Sequence, residues 1–279
     1  MTWRARGVSL PDRALIMGIV NVTPDSFSDG GRFLDPDEAI ALSVRLVADG
    51  ADIIDVGGES TRPGAEPVPA AEEIRRVEPV VGALVGEGIV VSIDTAKRDV
   101  AQAALEAGAS IVNDVSALGA AGMAETVAAS DAGLVLMHMQ GTPRTMQTNP
   151  TYGDVVTEVR DFLVDRALFA QDHGISPDCI AIDPGIGFGK TIVHNLTLLA
   201  HIGVLVETGY PVLIGTSRKS FLGALTGEER PERRDVATAA ASALAVAAGA
   251  SVVRVHNVAV SRPAVQVADA MVRHGGGAS

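Results

Sequence analysis

Short apolar runs alternate with amphipathic stretches along almost the whole chain. Eight of the apolar runs are rich in Val and Ile and have the length of strands. They are "LIMGIV", "ADIIDVGG", "GIVVSIDT", "ASIVNDVS", "GLVLMHM", "CIAIDPG", "PVLIGTS" and "ASVVRVHN". The stretches between them include six with helical spacing of apolar residues, at 36–48, 70–85, 97–106, 153–173, 191–207 and 234–248. The pattern therefore predicts strands that alternate with helices.

This alternation predicts parallel pairing of the strands, because each crossover helix must return the chain over the sheet. Eight such units fit a closed (β/α)8 TIM barrel of typical length better than an open doubly wound sheet. We expect residues 15–273 to form this single domain. Residues 1–14 would be a short N-terminal extension, for which a hairpin closing the barrel bottom is one possible form. Residues 274–279 would be a flexible tail.

Polar side chains follow nearly every predicted strand. In a parallel barrel the carboxyl ends of the strands meet at one mouth, where barrel enzymes build their active sites. A single Asp after a strand more often caps a helix or closes a turn, but a ring of carboxylates, amides and cations has no capping explanation as a set. The set comprises Asn21, Asp55, Glu59, Asp94, Asn113, Asp114, His138, Asp183, Ser217, Arg218, Lys219, Arg254 and His256.

Composition and charge argue against a nucleic-acid partner, an internal disulfide, a membrane span and a signal peptide. A net charge of -12 over 279 residues argues against a nucleic-acid partner, because affinity for phosphate backbones depends on clustered Lys and Arg. The single Cys179 excludes an internal disulfide. Residues 236–253 carry no charge, but they are mostly small residues divided by Gly249, so we expect no membrane span. The first residues lack the apolar core of a signal peptide, which predicts a cytoplasmic protein.

The motif "DPGIGFGKT" looks like a phosphate-binding loop, but Pro184 stands where that motif requires its first Gly. We instead expect a flexible loop over the mouth with Phe188 exposed at its tip.

Arg254 and His256 alternate by two along a strand, so both side chains should face the same side and form an anion pocket with Asn21. The six histidines show no zinc-site spacing. Mg²⁺ held by Asn21 and substrate phosphate oxygens is compatible with the sequence.

Eight motifs together resemble bacterial dihydropteroate synthase, the pterin-binding TIM-barrel family that sulfonamides inhibit. They are "MGIVNVTPDSFSDGG", "DIIDVGGESTRPG", "SIDT", "NDVS", "MHMQGTPRTMQ", "DPGIGFGKT", "GTSRKSFLG" and "VRVHNV". The resemblance implies a transferase of folate biosynthesis. It would condense 7,8-dihydropterin-6-ylmethyl diphosphate with p-aminobenzoate, giving 7,8-dihydropteroate and diphosphate with Mg²⁺ present. It also suggests a homodimer.

The resemblance implies a role for each matching residue. Pterin would be bound by Asp94, Asn113, Met137, Asp183 and Lys219. Diphosphate would be bound by Asn21, Thr61, Arg62, Arg254 and His256, with Asn21 also at the metal, and the catalytic set would be Asn21, Lys219, Arg254 and His256. The p-aminobenzoate subsite would comprise Phe27, Thr61, Arg62, Pro63, Phe188 and Ser217. The loop after Asn21 would close over the site and exclude water.

Two alternatives stay open at the level of sequence. A methyltetrahydrofolate-dependent methyltransferase would share the pterin-reading residues but needs no diphosphate pocket, so "TSRKS" and "RVH" argue against it. A catalytically silent paralogue that acts as a binding protein would keep the same motifs.

Overall fold

The computed structural model describes residues 3–23, 36–60 and 64–275, and within this part of the chain ten strands are present. The first two form an antiparallel hairpin. The other eight form one parallel sheet, and each of them lies in one of the eight predicted apolar runs. They are β3 (Leu15–Asn21), β4 (Ile53–Gly57), β5 (Val91–Asp94), β6 (Ile111–Asp114), β7 (Gly133–Met137), β8 (Ile180–Asp183), β9 (Leu213–Ile214) and β10 (Val252–Val255).

The sheet curls into a barrel with strand order β8-β7-β6-β5-β4-β3-β10-β9. A parallel bridge between Ile182 and Val212 joins its two outer strands. There the Ile182 N–H donates to the Pro211 carbonyl at 2.9 Å. The predicted (β/α)8 barrel is confirmed.

Ten helices follow the strands in the described ranges. Most bury one face against the sheet, as the helical spacing of their apolar residues requires. They are α1 (Pro36–Ala48), α2 (Ala70–Gly86), α3 (Arg98–Glu106), α4 (Met123–Ala128), α5 (Val155–Asp172), α6 (Ile192–Ala200), α7 (Ile202–Val206), α8 (Ser220–Thr226), α9 (Asp235–Ala247) and α10 (Val258–Gly275).

Two details differ from the predicted helices. The single helix expected over 191–207 is two, because the backbone at His201 departs from helical angles, with φ -119 and ψ 28. Thr191 begins the first of them with a capping box that includes His194. Helix α10 continues to Gly275, so residues 274 and 275 belong to it rather than to the expected tail.

The hairpin pairs β1 (Arg4–Ala5) with β2 (Val8–Ser9). Its turn residues Arg6 and Gly7 both have positive φ, as the tight hairpin turn that suits strand twist requires. Trp3 and Leu10 flank it and pack against the apolar cluster at the amino ends of the barrel strands. The Trp3 indole N–H donates to the Cys179 carbonyl at 3.0 Å. The extension therefore covers the bottom of the barrel with an aromatic plug.

No helix among the described residues is long and apolar enough to cross a membrane.

Trp3→Ala should destabilise the protein by about 3 to 5 kcal/mol, because a large buried ring would be replaced by a cavity at the barrel floor. Denaturant unfolding followed by circular dichroism measures this loss. Leu225→Ala is the matched control, since Leu225 is 55% exposed and its truncation leaves no cavity. Equal stability of the two variants would contradict a structural role for the plug.

Candidate active site

One layer of interior side chains holds most of the predicted pterin residues. The apolar floor includes Ile53, Ile111, Val135, Ala181 and Val252. Because side chains on one face of a strand recur every two residues, the next inward position on the same strands lies one layer nearer the mouth. Those positions are Asp55, Asn113, Met137, Asp183 and Arg254, and Asp94 joins them from β5 beside Asn113.

Arg254 is the centre of this layer. Its Nε donates to Asp55 Oδ2 and its Nη2 to Asp94 Oδ2, both at 2.6 Å. The same Asp55 oxygen accepts the Asn113 side-chain amide at 3.1 Å. Residues from β4, β5, β6 and β10 are therefore tied into one chain of charge-assisted hydrogen bonds.

Two oxygens of the network face no donor within the described part of the chain. Asp55 Oδ1 and Asp94 Oδ1 are both buried there without a hydrogen-bond partner. A buried acceptor without a partner is costly, so such atoms often mark where a ligand donates. The layer thus presents unused acceptors for the N–H groups of a ligand.

Burial and charge shift the pKa of the groups in this layer. Burial raises the pKa of Asp94 to about 7, and the neighbouring Asp55 carboxylate adds to the rise, although Arg254 opposes it. Burial by itself lowers the pKa of Arg254. The negative charges of Asp55 and Asp94 outweigh this effect, so the pKa of Arg254 lies well above its usual value. Arg254 is therefore a permanent cation, whereas Asp94 titrates near neutral pH.

Asp183 and Lys219 influence each other electrostatically on the other side of the layer. Burial raises the pKa of Asp183, against the opposing effects of Lys219 and of the Gly185 N–H, which donates to Asp183 Oδ1 at 2.7 Å. Burial lowers the pKa of Lys219 to about 8, and Asp183 opposes this fall. The Lys219 ammonium also donates to the Ile186 carbonyl.

The loop after β8 is hydrogen-bonded to neighbouring segments. The Gln147 amide donates to the Gly187 carbonyl at 2.7 Å, and the Gly187 N–H donates to Asn195 Oδ1 at 2.7 Å. Phe188 is half-buried, and its ring centroid lies 4.7 Å from the Lys219 ammonium. The expected exposure of Phe188 is therefore wrong, because its ring packs beside Lys219, whereas the flexibility of the loop stays a prediction.

Ser217 and His256 lie together at the mouth. Ser217 Oγ is 2.9 Å from His256 Nδ1 and accepts the His256 backbone N–H at 3.0 Å. Arg218 is directed elsewhere, since it forms a bidentate pair with Asp235 at 2.8 and 3.0 Å. The Arg254 guanidinium donates to Asp55 and Asp94, and the expected anion pocket of Arg254, His256 and Asn21 stays a prediction.

A cavity of about 400 Å³ opens beside Asp94 and Met137. Its apolar wall includes Val115 and Phe162. Its polar wall carries Lys97, whose ammonium binds both Glu59 and Glu73. The cavity gives a ligand access to the charged layer, although Asp183, Lys219 and Arg254 do not line it.

Asn21 ends β3 at the mouth and is half-buried. A side-chain carbon on Gly57 would lie 3.7 Å from Asn21 Oδ1 and 3.5 Å from the Asp94 Cβ. A methyl group at this position would therefore be in ordinary van der Waals contact with both side chains. Four predicted site residues lie outside the described residues: Phe27, Thr61, Arg62 and Pro63.

Comparison with known proteins decides the family of this barrel. Residues 17–256 match the family described as pterin binding enzyme. Dihydropteroate synthase of Neisseria meningitidis serogroup C is 48% identical over 93% of both chains. That of Mycobacterium leprae is 49% identical over 93% of this chain and 94% of its own. The chain belongs to the dihydropteroate synthases of the pterin-binding enzyme family.

Solved structures of the family share this fold over nearly the full length. The Yersinia pestis dihydropteroate synthase in complex with a sulfonamide drug has a TM-score of 0.92 and 41% identity, covering 97% of this chain and 99% of its own. The Xanthomonas albilineans dihydropteroate synthase with 7,8-dihydropteroate has a TM-score of 0.88 and 44% identity, covering 100% of both chains. The resemblance inferred from the motifs is thereby confirmed, and the methyltransferase alternative loses its basis.

The sequence patterns place Asp55 and His138 in the polar ring at the mouth without a specific role, and they do not single out Lys190. Asp55 is fully buried within β4 and shares its inward face with Ile53, and a charged residue inside an apolar run is the signal that identifies it. His138 and Lys190 are also buried, and Lys190 Nζ lies 2.9 Å from His138 Nδ1. That pair joins segments far apart in sequence, so no local pattern predicts it.

Asp55→Asn should lower the pKa of Asp94 from about 7, because the change removes a negative charge that disfavours the Asp94 carboxylate while keeping the side-chain shape. Carbon-13 NMR titration of the Asp94 carboxyl group measures the shift. Asp269→Asn removes a buried carboxylate outside this layer and is the control. A rise in the Asp94 pKa would show that Arg254 leaves Asp94 in the variant, and would contradict the interpretation.

Proposed function

We propose that the charged layer is the catalytic site of a dihydropteroate synthase. This transferase of folate biosynthesis condenses 7,8-dihydropterin-6-ylmethyl diphosphate with p-aminobenzoate, giving 7,8-dihydropteroate and diphosphate. The observation that carries the assignment to this site is the juxtaposition of Asp94, Asn113 and Asp183 in one buried layer. The amine of p-aminobenzoate forms a C–N bond to the pterin methylene, the C–O bond to diphosphate breaks, and the amine loses a proton.

The pterin edge suits the acceptors in the layer. Its ring N–H and amino groups would donate to Asp183 as a charge-assisted pair of hydrogen bonds. Asp94 Oδ1 and the Asn113 amide would form hydrogen bonds with the other polar groups of the ring. Lys219 would contact the pterin carbonyl and ring nitrogen. Met137 pairs with Asp183 in register, so its side chain supplies apolar contact beside the acceptor.

Diphosphate would bind toward the mouth, near Asn21, Arg254 and His256. The charge that grows on the leaving group as the C–O bond breaks is best stabilised by fixed donors and cations. Arg254 can take part as well, because a guanidinium carries five N–H donors and its contacts with Asp55 and Asp94 use two of them. The assignments of Phe27, Thr61, Arg62 and Pro63 to p-aminobenzoate and diphosphate stay predictions, as does the assignment of Phe188 and Ser217 to the aminobenzoate subsite.

Mg²⁺ is the ion that the family implies. Within the described ranges no group of three or more His, Cys, Asp or Glu side chains is placed to hold a metal. The amide oxygen of Asn21 at the mouth fits an ion that takes most of its ligands from water and phosphate. When bound, Mg²⁺ neutralises charge on the diphosphate.

The cytoplasmic location expected from the sequence stays a prediction.

A homodimer would use the outer faces of α9 and α10. Val236 and Leu244 lie eight residues apart on α9 and are 75% and 73% exposed. Val267 and Met271 on α10 are 62% and 68% exposed. Large apolar side chains gathered on one outer surface are typical of protein interfaces.

Asp183→Ala should weaken binding of a pterin analogue by about tenfold or more, because ligand N–H groups would enter a dry pocket without their acceptor. Calorimetry measures affinity, and release of diphosphate with and without p-aminobenzoate measures turnover. Asp114→Asn is the control, since Asp114 is buried at the end of β6 but binds Ser116 and Leu118. Pterin binding without diphosphate release by the wild-type protein would favour the silent paralogue.

Leu244→Glu should convert the dimer to monomers, because a charge would be buried in the apolar contact. Sedimentation velocity determines the mass in solution. Leu225→Glu, which changes an exposed apolar residue on α8, should leave the dimer intact. A wild-type protein that sediments as a monomer would contradict the proposed interface.

A further inference from the structure

Lys190 is a buried lysine that the reaction described above does not use, and burial lowers its pKa to about 7. Its side chain is 3% exposed, and its ammonium has three acceptors. These are His138 Nδ1 at 2.9 Å, the Phe188 carbonyl at 2.9 Å and, more distantly, the His138 carbonyl at 3.4 Å. An ammonium carries three protons, so this arrangement uses all of its donors.

His138 is suited to accept from this ammonium. Burial, together with the charge of Lys190, lowers the pKa of His138 to about 3, so the ring is neutral at physiological pH. A neutral ring that accepts at Nδ1 carries its proton on Nε2. The ring also packs edge-on against Phe162, with 4.9 Å between centroids. His138 is therefore a rigid acceptor on the segment after β7.

The two segments joined by Lys190 are in close contact. A side-chain carbon on Gly185 would lie 1.9 Å from the His138 carbonyl oxygen, and one on Gly189 would lie 2.5 Å from the Gln140 carbonyl oxygen. Only glycine fits at such distances. The loop at 185–190 therefore lies directly on the segment 138–140, and the Lys190 ammonium connects them from the buried side.

The same loop carries groups of the proposed pterin site. The Ile186 carbonyl accepts from the Lys219 ammonium, and the Phe188 ring lies against that ammonium. The Gly185 N–H donates to Asp183. Any displacement of the loop would therefore move Lys219 and Phe188 relative to Asp183.

We propose that Lys190 is a positioning residue for pterin recognition, which locks the loop at 185–190 onto His138 and thereby sets the places of Phe188 and Lys219. This role rests on the proposed function. Lys190 acts through the loop and touches neither substrate. Its charge also favours the ionised form of Asp183, together with Lys219 and Arg254.

The test compares three kinds of variant by calorimetry with 6-hydroxymethylpterin, after thermal melting has shown that each is folded. Lys190→Met should weaken binding by about tenfold or more, because the loop loses its buried link. Tyr152→Phe is the matched control: it removes the hydroxyl that donates to the Gly189 carbonyl at 2.8 Å in the same loop, and should change affinity by less than about threefold.

The His138 variants test the link from its other end. Asn offers an oxygen close to the position of Nδ1, so His138→Asn should bind nearly as the wild type does, whereas His138→Leu should lose affinity as Lys190→Met does. This pair also carries the test if Lys190→Met fails to fold. Equal affinity of His138→Asn and His138→Leu would overturn the proposal.

The pH dependence separates positioning from general destabilisation. Three titratable groups face the Lys190 ammonium: His138, Asp183 and Lys219. Loss of the ammonium removes a cation that favours ionised Asp183, so the acidic limb of pterin binding should move to higher pH in Lys190→Met. An unmoved limb with unchanged affinity would overturn the proposal while leaving the proposed function intact. Failure of the wild-type protein to bind the pterin would overturn both.

Discussion

The contact of Arg254 with Asp55 and Asp94 is the interaction on which the rest of the site depends. Ionised carboxylates buried without a partner are far too costly to keep, and each retains its charge only beside a cation. The Arg254 guanidinium pairs with two of the three carboxylates in the layer, and the charge of Lys219 favours the ionised form of the third, Asp183. With three acids against two cations, burial raises the pKa of Asp94 to about 7 and also raises the pKa of Asp183.

The charged layer rests on an apolar floor built by the same strands. On β4 the inward side chain changes from Ile53 to Asp55, the next residue on the same face. On β10 it changes in the same way from Val252 to Arg254. Trp3 covers the floor from below. Water is excluded from beneath the ion pairs, which strengthens them and fixes their geometry.

The loop at 185–190 over the mouth is held by contacts with the segment that follows β7. Gly185 has φ +65 and Gly189 has φ +61, and both backbones approach the segment after β7 too closely for any side chain. The buried Lys190 ammonium donates to the Phe188 carbonyl of this loop, and the half-buried Tyr152 hydroxyl donates to the Gly189 carbonyl. The loop conformation, and with it the position of Lys219, is a property of the assembled barrel.

The sequence by itself determined the barrel, its eight strands and the family, because hydrophobic period and motif order are local properties of the chain. It also placed Asp94, Asn113, Asp183 and Arg254 at strand ends that must converge on one mouth. Only the tertiary structure decided that Arg254 pairs with Asp55 and Asp94, that Arg218 is directed to Asp235, and that Phe188 is packed. These choices depend on charge balance and close packing between segments distant in sequence, which no local pattern records.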